Sequence, residues 1–452
     1  MVMVSNKAAQ AKRGKMVNGF DPEKTDQLSA RTREFVERRA RLLGPAYRLF
    51  YSDPIEFSRG DGVFLYDADG NEYLDAYNNV VSVGHRNPHV NKAIRVQMDS
   101  LCTHTRYMQE GVLDFAEQLL ATFEDEIGHV MFTCTGSEAN DLALRMAKYY
   151  TGNEGIIVTS EAYHGNSELT AAFSPSMGEN SRLGTWVRRV PTPDTYRVET
   201  DNLGEWLAAH VSEQIRDLQR RGQGIAAFIA DSLFASDGIF AHDPGILEPA
   251  LKVVRDAGGI FVADEVQCGF ARTGTHMWGY QRHNVLPDIV SLGKPMGNGY
   301  PVAGIAVRPE VLADFGHDIR YFNTFGGNTV AMAAAKATLE VIQGDNLLEN
   351  CDRVGTLLLN GLQELAKNDE RIGDVRGAGL YLGVEMVKDR ATREPDSARA
   401  LALVNEMRNR RVLISATAHN ANVLKIRPPL IFGEEHVDRF LAELEGALKA
   451  VN

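Results

Sequence analysis

The stretch His129-Val-Met-Phe-Thr-Cys-Thr-Gly-Ser-Glu-Ala-Asn-Asp-Leu-Ala-Leu-Arg-Met-Ala-Lys-Tyr149 decides the fold class. Its first residues form a short apolar run that predicts a strand at His129–Cys134. After a Thr-Gly-Ser turn, Leu142, Met146 and Tyr149 recur at the i, i+4 and i+7 spacing of one helix face. The stretch therefore predicts a strand, a tight turn and a helix, which is the unit from which parallel α/β sheets are built.

The same alternation of apolar runs and amphipathic stretches extends over about residues 100–340. Further candidate strands are Gly155–Thr159, Ala226–Ala230, Gly259–Asp264 and Ile289–Leu292. Such alternation is typical of a parallel sheet with helices on both faces. We therefore expect an α/β fold with a large domain built on a mostly parallel central sheet.

The two ends of the chain show a different pattern. Gly62–Tyr73 predicts a hairpin with its turn at Asp69-Gly70, and the C-terminal part predicts a strand at Gly379–Met386 and a last helix from about Glu434. We expect both ends to pack together as a smaller α+β domain. The predicted division is a disordered tail at 1–30, small-domain segments at 31–77 and 339–452, and the large domain at 78–338.

Composition excludes several classes of protein. The 452 residues are 44% hydrophobic and 24% charged, as in globular enzymes, and the formal charge of −12 opposes binding to nucleic acid. The longest apolar runs are strand-sized, so no membrane span is expected. The four cysteines lie far apart, which predicts neither a disulfide framework nor a metal site and favours a reducing cytoplasm.

The turn after the first predicted strand is a candidate anion site. Free N–H groups at a helix start attract phosphate, Gly136 permits close backbone approach, and Ser137 adds a hydroxyl donor. An ordinary serine N-cap would give the same pattern.

Asp264 and Gln267 follow another apolar strand, at the edge where open α/β sheets bind ligands. A buried carboxylate there needs a partner such as a protonated ring nitrogen, and Gln267 could donate to an oxygen on the same ring. The simpler explanation is a carboxylate that caps the following loop.

Lys294 comes after the predicted strand Ile289–Leu292, in a loop rich in Gly and Pro. A desolvated lysine there could form a Schiff base or move protons, although most lysines are solvated. Tyr163 could stack on a planar ring or simply pack, and Thr324 adds a hydroxyl in a flexible loop. Together with the anion-binding turn and Asp264, these residues fit pyridoxal 5'-phosphate, with Lys294 on its aldehyde.

Five motifs carry a resemblance to a known family. They are Thr135-Gly-Ser-Glu-Ala-Asn140, Ala162-Tyr-His-Gly165, Asp264-Glu-Val-Gln267, Gly293-Lys294 and Asn323-Thr-Phe-Gly-Gly-Asn328. In this order they resemble the class III aminotransferase family of pyridoxal-phosphate enzymes, and the resemblance extends from about Arg41 to the end of the chain.

The resemblance implies the fold type I architecture and a homodimer with shared active sites. It also implies a Schiff base at Lys294, Asp264 on the pyridinium nitrogen, Gln267 on the ring oxygen and Tyr163 on the ring face. Thr324 is expected to reach the cofactor phosphate of the partner subunit.

Further stretches resemble the ethanolamine-phosphate and phosphohydroxylysine phospho-lyases of this family. They include Val190-Pro-Thr-Pro-Asp-Thr-Tyr-Arg197, Tyr321-Phe-Asn-Thr-Phe-Gly-Gly-Asn328 and Asn422-Val-Leu-Lys-Ile-Arg-Pro-Pro-Leu430. Where family aminotransferases usually carry an arginine that clamps the substrate carboxylate, this chain has Lys425. A lysine suits phosphate better than a planar carboxylate fork, unless it is simply an exposed strand lysine. The glutamate that often pairs with that arginine corresponds to Ser236.

These features predict a phospho-lyase acting on O-phosphoethanolamine or a related phosphorylated amine, with Lys425 and Arg272 as candidate ligands of the substrate phosphate. Lys294 is the expected general base. Two alternatives remain at this point: a transaminase that needs a 2-oxo acid, and a nucleotide or dinucleotide binder without covalent chemistry.

Overall fold

The computed structural model describes residues 16–241 and 244–451. The α-helices in these ranges are α1 (Ala30–Leu43), α2 (Pro88–Ser100), α3 (Glu110–Leu120), α4 (Gly136–Thr151), α5 (Glu168–Ala171), α6 (Leu203–Arg220), α7 (Glu248–Asp256), α8 (Pro309–Asp318), α9 (Thr329–Gly344), α10 (Leu347–Lys367), α11 (Ser397–Asn409) and α12 (Glu434–Ala450). None of the helices described is both long and apolar enough to cross a bilayer.

The strands belong to three sheets. They are β1 (Phe57–Asp61), β2 (Phe64–Asp67), β3 (Glu72–Asp75), β4 (His129–Thr133), β5 (Gly155–Thr159), β6 (Val187–Val190), β7 (Ile225–Asp231), β8 (Ile260–Asp264), β9 (Ile289–Leu292), β10 (Ala303–Val307), β11 (Ile372–Ala378), β12 (Tyr381–Asp389), β13 (Glu394–Pro395), β14 (Val412–Leu413), β15 (Ser415–Thr417) and β16 (Val423–Ile426).

The central sheet has seven strands in the order β4-β10-β9-β8-β7-β5-β6. Strands β9, β8, β7, β5 and β6 pair in parallel, and β10 runs antiparallel to both of its neighbours. Strands β5, β8, β9 and β10 are buried along their whole length, because helices cover both faces of the sheet. The expected α/β architecture with a mostly parallel sheet is confirmed.

Helix α4 is confirmed, but it begins at Gly136, so Gly136 and Ser137 of the predicted turn belong to its first turn. Thr135 and Glu138 form a capping box at its start, and Leu142 and Met146 are buried. Tyr149 departs from the prediction, since it is partly exposed and its hydroxyl donates to Asp318 of α8 at 2.5 Å. A tyrosine near the end of the helix keeps its polar tip in water while its ring packs edge-on against Phe315.

The chain ends form the smaller unit together. Strand β14 from the C-terminal part pairs in parallel with β3 and extends the predicted N-terminal hairpin into a four-stranded sheet. Strands β11, β12, β16 and β15 form a further antiparallel sheet, and α12 begins at Glu434 as predicted. The boundary predicted at 338/339 falls inside α9, and the exact division into domains stays a prediction.

The predicted tail needs a correction. Residues 1–15 lie outside the described residues, but the chain from Met16 onward is packed against the small unit. Phe20 and Leu28 are buried in a cluster with Val36, and a short 3-10 helix covers Pro22–Gln27. Phe20 N–H also donates to the Leu49 carbonyl at 2.8 Å. Two apolar side chains and backbone pairing are enough to order a segment that composition alone describes as polar.

Candidate active site

A cavity lies where the parallel strands end. Strands β7, β8 and β9 pair in parallel and finish at one edge of the sheet, so the residues that follow them come together. The cavity is lined by Gly136, Ser137, Asn140, Tyr163, His164, Gly165, Asp231, Asp264, Val266, Gln267 and Lys294. Six of the residues predicted to bind a cofactor are therefore neighbours in space.

The start of α4 forms one wall of this cavity. The N–H groups of Gly136 and Ser137 begin the helix and have no partner within it. A Cβ atom on Gly136 would lie 2.9 Å from a methyl carbon of Val266, so only glycine lets the turn approach that side chain. Ser137 Oγ donates to Asn166 Oδ1 and accepts from Asn166 N–H, both at 3.1 Å, which fixes the hydroxyl at the cavity wall.

Asp264, at the end of β8, is buried and accepts hydrogen bonds on both oxygens. His164 Nδ1 lies 2.6 Å and Asn140 Nδ2 2.9 Å from Oδ2, and Val266 N–H donates to Oδ1 at 3.1 Å. Burial raises the pKa of Asp264, but the hydrogen bond and charge of His164, the Asn140 amide and the Lys294 charge outweigh burial and hold this pKa below its usual value. The carboxylate therefore stays ionised at neutral pH.

Lys294 follows β9, with its amine close to two carboxylates. Burial and then the charge of Arg427 lower the pKa of Lys294, while Asp264 and Asp231 act in the opposite direction. Asp231 ends β7 directly beside Asp264 in the sheet register, and its Oδ1 accepts from Cys268 Sγ at 2.7 Å. The lowered pKa makes the Lys294 amine a better proton acceptor near pH 7 than an exposed lysine.

Next to this cavity, two cations project from one strand end. Lys425 on β16 is 7% exposed and Arg427 is 6% exposed. Arg427 Nη1 donates to Gln267 Oε1 at 2.6 Å, and its guanidinium lies 4.5 Å from the Tyr77 ring centre. The Lys425 amine lies 5.6 Å from the Tyr381 ring centre, and in the described chain neither cation forms an ion pair with a carboxylate. Burial and the charge of Arg427 lower the pKa of Lys425 well below its usual value.

Besides Lys425, two predicted site residues lie outside the cavity lining. Arg272 is 1% exposed, and its Nη1 donates to the backbone carbonyls of Leu380 and Pro428. Burial lowers its pKa to about 10. Thr324 is exposed, in the loop before α9, so within a single chain it does not reach the other cofactor candidates.

Several residues of the site were not assigned from the sequence. Asn140 and His164 lie inside the quoted motifs, and Arg427 lies two residues after Lys425. Asp231 ends an apolar strand exactly as Asp264 does, and this signal was sufficient to identify it. Tyr381 begins β12 and carries no sequence signal, because its hydroxyl meets Gln267 only in the tertiary structure, at 3.2 Å.

Comparison with known proteins identifies relatives along nearly the whole chain. The family model for class III aminotransferases matches residues 51–448. An alanine–glyoxylate aminotransferase 2-like protein of Drosophila melanogaster is 38% identical over 94% of this chain and 89% of its own. Ethanolamine-phosphate phospho-lyase homolog 1 of Caenorhabditis elegans is 38% identical over 93% of this chain and 94% of its own length.

A solved structure agrees with these relatives. A phospholyase from Arthrobacter in complex with phosphoethanolamine superposes with a TM-score of 0.90 at 41% identity, covering 92% of this chain and all of the other. Enzymes of this family use pyridoxal phosphate, and the cavity fits that group: a helix start with free N–H groups, a buried carboxylate held ionised, and a lysine with a lowered pKa. The chain thus belongs to the class III aminotransferase family, with the fold type I architecture of these pyridoxal-phosphate enzymes.

Proposed function

We propose that this protein is a phospho-lyase that converts O-phosphoethanolamine or a related phosphorylated amine, with one water, into an aldehyde, ammonia and inorganic phosphate. The observation that carries the proposal is the pair of buried cations, Lys425 and Arg427, beside the Lys294 cavity. The Caenorhabditis relative and the Arthrobacter neighbour support the same substrate class.

The charge at this end of the site suits phosphate better than carboxylate. A phosphate monoester carries about −1.5 to −2 charges at pH 7, whereas a carboxylate carries one. Arg427 is buried without a carboxylate ion pair in the described chain, which is costly until an anion arrives, and the lowered pKa of Lys425 reflects the same cost at the neighbouring amine. A phosphate would compensate both, and its binding would raise the pKa of Lys425 back toward the charged form.

The proposed roles of the cofactor residues follow from their positions. Gly136 and Ser137 bind the cofactor phosphate, Tyr163 covers the ring face, Gln267 contacts the ring oxygen, and Asp264 keeps the ring nitrogen protonated. When bound, pyridoxal phosphate accepts the electron pair released at the substrate carbon that bears the nitrogen. Lys294 binds the cofactor aldehyde at rest and takes the proton from that carbon during turnover.

Elimination then depends on the neighbouring carbon. Its C–O bond to phosphate breaks, and Lys425 and Arg427 stabilise the negative charge on the departing phosphate. A transaminase would instead return the proton to the cofactor and need a 2-oxo acid. The Drosophila relative is named as an aminotransferase, so this reaction is the second candidate. However, Ser236 offers no carboxylate, and its carbonyl accepts from Thr417 Oγ1 at 3.3 Å.

The test is to incubate the holoenzyme with phosphoethanolamine, with and without pyruvate, and to measure phosphate, ammonia and alanine. Equal amounts of phosphate and ammonia without pyruvate are expected. Alanine formation that requires pyruvate, with no phosphate released, would overturn the proposal in favour of a transaminase.

Lys425→Ala is expected to lower kcat/KM for phosphoethanolamine about tenfold to a hundredfold. A desolvated charge-assisted contact contributes roughly 1.5–3 kcal/mol, and about 1.36 kcal/mol corresponds to a factor of ten. Lys425→Arg should retain more activity than Lys425→Ala. The exposed Lys388 on β12, which pairs with Glu394, is the matched control, and Lys388→Ala should leave kcat/KM nearly unchanged.

Replacement of Arg427 and replacement of Arg272 should have different effects on kcat/KM in the same assay. Arg427→Ala should resemble Lys425→Ala, since Arg427 faces the cavity through Gln267. Unchanged phosphate release in Lys425→Ala would show that the substrate phosphate lies elsewhere. Arg272, whose Nη2 is buried without a hydrogen-bond partner among the described residues, would then be the next candidate.

We also propose that the protein acts as a homodimer with shared sites. The Thr324 loop lies next to exposed apolar residues, with Phe325 68% and Met108 99% exposed. His104 connects the two segments, since its ring stacks on Tyr107 and meets Phe322 edge-on. A continuous apolar surface of this kind is typical of an interface between subunits.

Thr324→Ala should weaken cofactor binding by about tenfold, the effect of one lost hydrogen bond to a charged group. Mixing it with inactive Lys294→Ala should restore activity at limiting cofactor, because each hybrid dimer contains one complete site. Subunit exchange and the dimeric state are checked by mass spectrometry of the native protein. Confirmed exchange without any recovery would contradict a shared site.

A further inference from the structure

The segment before α1 contacts the sheet that carries Lys425, at the end of the site where the proposed function places the substrate phosphate. Asn18 is 6% exposed, and its Oδ1 accepts a hydrogen bond from Ser415 Oγ at 2.6 Å. Ser415 on β15 lies directly opposite Lys425 on β16 in the antiparallel register. Directly paired residues project from the same face of a sheet with Cβ atoms about 4.5–5.5 Å apart. The Asn18 amide is therefore bonded to the residue that is the direct cross-strand neighbour of Lys425.

The side-chain nitrogen of Asn18 has no hydrogen-bond partner in the described chain. Asn18 Nδ2 is buried and makes no hydrogen bond, and the same holds for Arg427 Nε. Buried N–H donors are normally satisfied, so unpaired donors grouped around a site indicate an acceptor that binds there. The Lys425 amine and the Arg427 guanidinium add further donors to this group, and the charge of Asp231 also acts on the Lys425 amine. A phosphate group, with several acceptor oxygens and a double negative charge, matches it.

The backbone holds Asn18 in place independently of its side chain. Tyr51 N–H donates to the Asn18 carbonyl at 2.9 Å, and Gly19 forms a bridge with Phe50. Asn18 has φ of 47°, a left-handed conformation that Asn, Asp and Gly tolerate. The Phe50 ring packs edge-on against Tyr77, the residue whose ring lies under Arg427. The segment is thus anchored on both sides of the two cations.

We propose that Asn18 determines substrate specificity by donating a hydrogen bond from its side-chain amide to the substrate phosphate beside Lys425. The inference rests on the proposed function, because it takes the Lys425 end of the cavity as the phosphate end. It adds a neutral donor from the N-terminal segment to the two cations of β16 and the residue after it.

The test compares Asn18→Asp with Asn18→Gly. Asp keeps the shape, tolerates positive φ and can accept from Ser415, but it places a negative charge against the phosphate. Gly keeps the backbone conformation and removes the donor. If Asn18 binds phosphate, Asn18→Asp should lower the ligand affinity more than Asn18→Gly. If its role is purely structural, Asn18→Gly should lower the affinity more. The matched control is the same pair of changes at Asn346, an exposed asparagine with φ of 51° at the start of α10.

The ligand is 2-aminoethylphosphonate, whose C–P bond does not permit elimination of phosphate. Its Kd is measured by titrating the visible absorbance of the holoenzyme, alongside kcat/KM for phosphate release and the Tm. Affinity is expected to fall about tenfold in Asn18→Gly and on the order of a hundredfold in Asn18→Asp. The Tm of Asn18→Asp should stay close to that of the wild type.

The outcomes separate this inference from the proposed function. The role of Asn18 would be overturned if the wild-type enzyme releases phosphate but both variants keep the wild-type affinity for the phosphonate. A larger loss of affinity in Asn18→Gly than in Asn18→Asp would also overturn it. If the wild-type enzyme releases no phosphate but binds the phosphonate tightly, and the variants weaken this binding in the predicted order, the lyase proposal is overturned. The same result supports the contact between Asn18 and the phosphonate. A wild-type enzyme that neither releases phosphate from phosphoethanolamine nor binds the phosphonate would overturn both.

Discussion

Lys294→Ala is expected to lower kcat for phosphate release by about ten-thousandfold or more. The change removes the amine that we propose binds the cofactor aldehyde and takes the substrate proton, and a positioned general base alone contributes about 10²–10⁴-fold. The lowered pKa of Lys294 supports this role, since it increases the share of neutral amine that can act as a base relative to an exposed lysine. No other lysine lines the cavity in the described chain.

The position of the amine can be checked without an activity assay. Borohydride reduction of the holoenzyme should leave a stable cofactor adduct on the peptide that contains Lys294. The matched control is Lys252→Ala, which removes a lysine of α7 that is exposed and paired with Asp256. This control should retain normal kcat. An adduct on a different lysine would show that the assignment is wrong.

Asp264→Asn is expected to lower kcat by about a hundredfold to a thousandfold, the scale of losing one preorganised electrostatic contact. In the proposed role, the ionised carboxylate would keep the ring nitrogen of the cofactor protonated, and a neutral amide would not. The amide is also poorly suited to the position. Three N–H groups, from His164, Asn140 and Val266, point at the two oxygens, so one of them would face an NH₂ group.

Two further measurements distinguish loss of chemistry from loss of structure. The Tm and the bound-cofactor content of Asp264→Asn show whether the variant is folded and loaded. Asp264→Glu restores the charge at a displaced position and should recover part of the activity. Near-normal kcat in a loaded Asp264→Asn enzyme would indicate another carboxylate, and Asp231 at the end of the neighbouring strand would be the first to replace.

The sequence determined the α/β class and most of the cofactor site. Strand-sized apolar runs separated by amphipathic helices leave few arrangements other than a parallel sheet. In that arrangement, the residues after β8 and β9 must meet at one edge. Asp264 and Lys294 could therefore be placed together before any contact was known. The helix after Thr135 was equally predictable, because its capping box and apolar spacing are local features.

Only the tertiary structure decided how the substrate end of the site is built. Lys425 pairs with Ser415, Ser415 bonds to Asn18, and Arg427 stacks over Tyr77, so segments almost 400 residues apart meet there. Cross-strand register and cation–aromatic contacts carry no local sequence signal. Composition likewise described residues 16–30 as a tail, because two apolar side chains, Phe20 and Leu28, give no periodic pattern, and the residues they pack on, Val36 and Leu49, lie in the following segment. Local sequence patterns predict helices, strands and the residues at their ends. Which of these residues come into contact is decided by burial between segments that are far apart in the sequence.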